Sequence, residues 1–288
     1  MPRILLAGAT GTVGSLALRF AREKGYWTRA LVRSSNSQSR LQGIASEVFV
    51  GDALNAAEIE DACRDIDVVV SCIGASVSMS SRETKGYKQV DIPANENLIR
   101  LSLRHGVRRF VYLSTFSSTG IADCNYVKAH EAVAASLRGS GLSHTIVRPT
   151  GLFGIFAELM NLGRFGFLPM FGDGSARTNP VHQLEVAKAL IDSLEVGPSQ
   201  IDIGGPEVFT RREILELSLK LMGKPPRLLK VPVWTLSMGA AVNSVWNQRL
   251  SDLLDFGLKV STSDCIAEQS GKERLEVYLR SVLDQQPQ

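Results

Sequence analysis

Arg3 to Gly14 reads RILLAGATGTVG: an apolar run, then glycines spaced G-x-x-G-x-x-G, then a helical pattern that continues to about Lys24. A short unbroken apolar run reads as a parallel strand buried on both faces. Glycines at its carboxyl end let the chain turn tightly and bring a pyrophosphate close to the positive end of a helix. A bare glycine motif is weak, but strand, turn, helix and second strand follow here in order. The turn is therefore read as a dinucleotide site built from Gly8, Thr10, Gly11, Thr12, Val13 and Gly14.

Outward from that turn, apolar runs alternate with helical patterns. TRALVR, EVFVGD, DVVVSCIGA, RFVYLST and HTIVRP read as strands, with helices near Ala56 to Cys63, up to His105, and from about Tyr126. Strands spaced by helices imply right-handed crossovers and an α/β doubly wound parallel sheet, the Rossmann fold. Residues 1–150 form the expected NADP-binding domain, and 151–288 a smaller substrate-binding or lid part packed on it. That part has a helix at about Gln183 to Glu195, a strand QIDIGG, a helix at about Arg211 to Met222, and a break at KPPRLLKVP.

The second strand ends ALVRSSNSQSR, with Arg33 and Ser34 where an acid would take a ribose hydroxyl. A guanidinium binds phosphate bidentately, so NADP(H) is expected over NAD(H). Asp52 and Ala53 after the third strand, and Cys72 and Gly74 after the fourth, lie at carboxyl ends where open sheets bind ligands. Asp52 equally suits a turn.

In a chain of 288 residues with net charge +3 and interspersed charges, neither nucleic acid nor an anionic membrane is an expected partner. The four cysteines form no C-x-x-C pair, so no metal site is expected. No apolar run reaches the ~18 residues of a transmembrane helix, and a cytoplasmic location is expected.

GATGTVG, LVR after the second strand, GD after the third, a strand ending LST, and K-x-x-E before SGLSHTIVRPT resemble the atypical, NmrA-like branch of the short-chain dehydrogenase/reductase family. KGYKQVD, MFGDGSA, DIGGPEVFT and LMGKPPRLLKVPV resemble the 8-vinyl reductases that act on divinyl chlorophyllide; a more distant likeness is to the nucleotide-binding accessory subunit of respiratory complex I. The resemblance implies a tyrosine and a lysine four residues apart, the tyrosine protonating substrate and the lysine binding the nicotinamide ribose. Lys128 matches that lysine through its K-x-x-E context, which leaves Cys124 at the tyrosine position. Thr115, or the adjacent Ser114, matches the family serine, and Pro149 lies at the cofactor edge. Tyr126 stands two residues before Lys128 and so on another helix face, yet remains a candidate donor.

A thiol is a poor donor, so reduction of a conjugated C=C is expected rather than carbonyl reduction. The expected activity is an NADPH-dependent reduction of a small apolar conjugated substrate, such as a porphyrinoid vinyl group. The alternatives are a non-catalytic NADP(H) sensor or assembly factor, and a carbonyl reductase or sugar-nucleotide enzyme using Tyr126. Phe153 and Phe156, in an aromatic, glycine-rich segment, and His182 are candidate substrate contacts. WTLSMGAAVNSVW, Trp234 to Trp246, reads as a packing helix, compatible also with a dimer face or shallow membrane contact.

Overall fold

The computed structural model describes residues 1–78 and 84–285. The first half runs β1 (Arg3–Ala7), α1 (Thr12–Glu23), β2 (Trp27–Val32), α2 (Ser35–Leu41), β3 (Glu47–Val50), β4 (Val68–Ser71), α3 (Tyr87–Arg104), β5 (Arg109–Leu113), α4 (Asn125–Gly139) and β6 (Ser143–Pro149). Then follow α5 (Phe153–Leu162), β7 (Leu168–Phe171), β8 (Arg177–Thr178), α6 (Gln183–Asp192), β9 (Gln200–Ile203), β10 (Phe209–Thr210), α7 (Arg211–Leu221), β11 (Leu228–Val231), α8 (Trp234–Trp246), α9 (Gln248–Thr262) and α10 (Leu275–Asp284).

Seven parallel strands among the described residues pair in the order β3-β2-β1-β4-β5-β6-β9, the doubly wound arrangement. The register sets Leu5 of β1 beside Val69 of β4, and Val69 beside Phe110 of β5. Side chains alternate across a strand, so Leu5, Val69, Phe110 and Ile146 fill the layer under α3 and α4, while Leu6, Val70, Val111 and Val147 fill the layer under α1 and α6. Each fully buried aliphatic side chain contributes about 2 kcal/mol. The run of β9 beside β6, and of α6 in the α1 layer, brings residues beyond 150 into the same sheet and core.

The expected helix at Ala56 to Cys63 is instead a run of turns. Glu58, Ala62, Arg64 and Ile66 each donate a backbone bond three residues back, and Asp65 has φ 58°. Side chains hold this geometry: Asn55 accepts from the Ala57 amide and Glu58 from the Asp52 amide. Two small sheets lie beyond the main one, β7 with β11 (parallel) and β8 with β10 (antiparallel), and α9 packs back toward α4.

Candidate functional site

Gly8 takes φ +81° at the end of β1, and a Cβ there would lie 2.6 Å from the Cys72 carbonyl oxygen. A Cβ on Gly14 would lie 2.1 Å from the Gly8 carbonyl oxygen. The turn is thus closed against both α1 and the end of β4, and Gly11 caps α1 with extended backbone. Its free amides and the helix dipole make an anion cradle, which fits a dinucleotide pyrophosphate.

A cavity of about 380 Å³ opens from that cradle along the carboxyl ends of β4, β5 and β6. Gly11, Thr12, Val13, Gly14, Cys72, Gly74, Ser114, Thr115, Tyr126 and Pro149 line it, so the structure brings these together as expected neighbours. The far wall is apolar, with Phe116, Ile121, Phe156, Leu159, Met170, Ile214, Phe256 and Val260. Arg33 and Ser34 stand exposed after β2, with Ser34 capping α2. Asp52 folds into its own turn, accepting from the Leu54 amide at 3.0 Å, and Ala53 is buried.

The helix expected to carry the catalytic residues, α4, starts in a different register from that expected. It begins at Asn125 with Cys124 as its cap, and Cys124 is fully buried behind the cavity wall against Ile121, Val127 and Cys265, not lining the cavity itself, its thiol pushed up by burial. The Lys128 side chain is 48% exposed, lies 3.3 Å from Asp123, and does not line the cavity. Positions two apart diverge by about half a turn, so with Tyr126 facing in, Lys128 faces out. The residue one turn after Tyr126 is His130, and it does line the cavity. The pair that α4 presents to the cavity is Tyr126 and His130, and neither Cys124 nor Lys128 lines it. The four-residue spacing of Tyr126 and His130 is the sequence signal for this pair.

Tyr126 is clamped edge-on by Tyr87 (4.9 Å), His130 (4.7 Å) and Phe256 (4.9 Å). Burial raises its phenol pKa, the Asp91 charge adds to the rise, and a hydrogen bond with Thr115 opposes it. The hydroxyl accordingly holds its proton throughout the neutral range. His130 has its Nδ1 2.7 Å from the Tyr112 hydroxyl, and its Nε2 is 3.6 Å from Asp91, beyond hydrogen-bond length. Because Tyr112 is also held protonated by burial, its O–H donates to Nδ1, and buried His130 stays neutral, pushed down to about 4. Asp91 in turn accepts from the Ala75 amide at 2.8 Å, tying α3 to the loop after β4.

Ser114 presents a buried hydroxyl without a hydrogen-bond partner on the cavity wall. Arg211, the first residue of α7, is the one charged side chain among the described lining residues. Its Nε donates to the Val260 carbonyl, and burial lowers its pKa. The carboxylate it senses, Asp264, is already held by Arg177 at 2.7 and 3.0 Å.

Two expected substrate contacts lie elsewhere. Phe153 is fully buried against Tyr278 and His182, and His182 caps α6 by accepting from the Leu184 amide at 3.0 Å. Both serve the α5–α10 packing, whereas Phe156 does reach the cavity. Thr10 is exposed at the turn and is not part of the cavity wall.

The model of a family described as NAD(P)H-binding matches residues 8–195. The chain is 25% identical over 257 residues to divinyl chlorophyllide a 8-vinyl-reductase, chloroplastic, of Cucumis sativus, covering 83% of this chain and 61% of that one. It is 24% identical over 259 residues to photosystem II assembly factor Ycf39 of Trieres chinensis, covering 88% and 80%. The chain thus spans about three-fifths of the length of the plant relatives it matches. Among solved structures, the NADPH-dependent quinone oxidoreductase QOR2 of Escherichia coli, complexed with NADPH, superposes with a TM-score of 0.77 at 17% identity, over 97% of this chain and 99% of that one. Among the described residues, no helix is long and apolar enough to cross a membrane.

Proposed function

Because the chain belongs to the NAD(P)H-binding family, its match running from Gly8 to Glu195, we propose that it is an NADPH-dependent reductase of an apolar, conjugated substrate that carries an acidic group. The observation that carries this reading is a tyrosine, Tyr126, that shares with Thr115 the wall of an apolar cavity continuous with the glycine cradle. The cradle of Gly8 to Gly14 binds the pyrophosphate, and Arg33 with Ser34 takes the 2′-phosphate. Residues 151–288 supply the substrate half through α5, β7, α7 and α9.

The bound cofactor supplies hydride. The protein's part is to orient the conjugated system against Phe156, Met170 and Phe256, to exclude water, and to hold a proton at Tyr126 Oη for the carbon or heteroatom that gains charge. Because burial raises its pKa, Tyr126 carries its proton at neutral pH and so is in the form that can donate. Thr115 hydrogen-bonds the phenolate left behind. Neutral His130 packs against the ring and contributes no cation. Arg211, half-buried on the cavity wall with the nearby Asp264 already held by Arg177, suits a carboxylate on the substrate. An apolar wall with one cation fits a polyhydroxylated sugar nucleotide poorly.

Calorimetric titration with NADPH and NADH, followed by NADPH oxidation with divinyl chlorophyllide, tests the reading. Preference for NADPH with turnover is expected; tight binding with no oxidation of any conjugated acid would favour the second reading, an NADP(H)-binding assembly factor, which the similarity to Ycf39 supports.

A further inference from the structure

The helix expected to pack is instead largely bare. Trp234 (59% exposed), Met238, Val242, Val245 and Trp246 (87%) recur at three- and four-residue spacing and form one stripe along α8. The opposite face, with buried Leu236 and with Gly239 close to Leu254, rests on α9. The stripe does not end with the helix. Leu229 of β11 is exposed, and the β7–β11 pair sets it on the same outer face as exposed Phe167, with exposed Phe165 just before.

The two chain segments that build this surface carry cations and no acid, with Asp173 and Asp252 at their carboxyl borders. Leu217 to Ser251 contains Lys220, Lys224, Arg227, Lys230 and Arg249 and not a single acid, and Leu159 to Gly172 contains Arg164 and no acid. Arg249 is buried, where it donates to the Ser76 and Ser78 carbonyls; Lys220, Arg227, Lys230 and Arg164 are exposed. A second copy of the chain on this face would oppose cation to cation. Tryptophans at both ends of an uncharged helix, beside exposed lysines and arginines, match the chemistry of an anionic bilayer surface, where indoles sit at headgroup depth and cations meet lipid phosphates.

We propose that α8 with the outer face of β7–β11 is a docking surface for an anionic lipid bilayer, on which the protein lies without spanning it. The surface is continuous with the cavity: Pro169, Met170 and Phe171 of β7 and Phe256 and Val260 of α9 line it. Apolar molecules dissolved in the bilayer would thereby meet the cavity from its apolar side. The proposal stands apart from the reductase reading, since docking requires neither cofactor nor turnover.

The test is flotation of the full chain with vesicles of phosphatidylcholine alone and of phosphatidylcholine mixed equally with phosphatidylglycerol. Co-flotation with the anionic vesicles, weakened by salt, is expected. Trp234→Ala with Trp246→Ala should reduce partitioning about ten-fold or more, and Arg227→Glu with Lys230→Glu should abolish the preference for anionic lipid. These side chains are exposed, so unchanged melting and cofactor binding should show the variants folded. Absence of flotation with either vesicle, flotation insensitive to both double variants, or a concentration-dependent dimer that the tryptophan variant dissolves would overturn the proposal.

Discussion

Replacing Tyr126 by Phe removes one oxygen and keeps the ring that Tyr87, His130 and Phe256 clamp at 4.7 to 4.9 Å. The structural loss is at most that of one phenolic hydrogen bond, about 1 kcal/mol, or a fall in Tm of roughly 2 to 4 °C. The chemical loss is larger: a positioned proton donor contributes about 10²- to 10⁴-fold, equivalent to roughly 3 to 5 kcal/mol in the barrier. The two effects are separable. Single-turnover NADPH oxidation with saturating conjugated substrate measures the chemistry, calorimetry the cofactor affinity, and thermal melting the fold. The expected result is a rate lower by at least about a hundred-fold with cofactor affinity and fold nearly intact. A rate within a few-fold of the parent would refute Tyr126 as donor, and a parallel collapse of cofactor affinity would make its role one of binding.

Gly14→Ala should abolish cofactor binding and destabilise the fold by about 1 to 3 kcal/mol, because the new Cβ meets backbone at 2.1 Å; calorimetry and urea unfolding check it. Lys128→Ala should leave turnover and cofactor affinity within a few-fold, its side chain being half exposed and outside the cavity, and a large loss in either would restore the lysine to the site. Arg211→Gln should raise KM for a substrate bearing a free carboxylate by about ten-fold or more and leave KM for its methyl ester little changed. His130 should make the protein acid-sensitive. Its folded pKa of about 4 lies below the ordinary 6.5, so between these values the unfolded chain binds the proton and the folded one does not. About 3 kcal/mol of stability is therefore lost as pH falls from near 6.5 to near 4, and urea unfolding of His130→Gln should show a flatter profile over that window.

Apolar runs buried on both faces made β1, β2, β4, β5 and β6 legible, and the glycines of the first turn were legible because a closed turn excludes Cβ atoms. The segment after Leu54 misled because its residues favour helix locally while Asn55 and Glu58 bind nearby amides and Asp65 turns out of helical φ. In α4 the residue types were visible but the register was not: only the cap at Cys124 decides which of Tyr126 and Lys128 faces the sheet. Asp91, Tyr112 and His130 come from α3, β5 and α4, a meeting that no local pattern encodes. Arg211 looks from sequence like one more exposed cation at a helix start, and its partial burial on the cavity wall depends on α9, whose Val260 carbonyl accepts from its Nε. The stripe on α8 was visible as apolar; whether it packs or faces out is a tertiary outcome.

Hydride transfer in the cavity beside Tyr126 is tested by a single turnover of the protein with NADPH deuterated at the transferable position and divinyl chlorophyllide. One deuterium in a product reduced at one vinyl group, formed in step with oxidised cofactor and slowed at least about a hundred-fold by Tyr126→Phe, is expected. Tight cofactor binding with no oxidation and no deuterium in the pigment would contradict it.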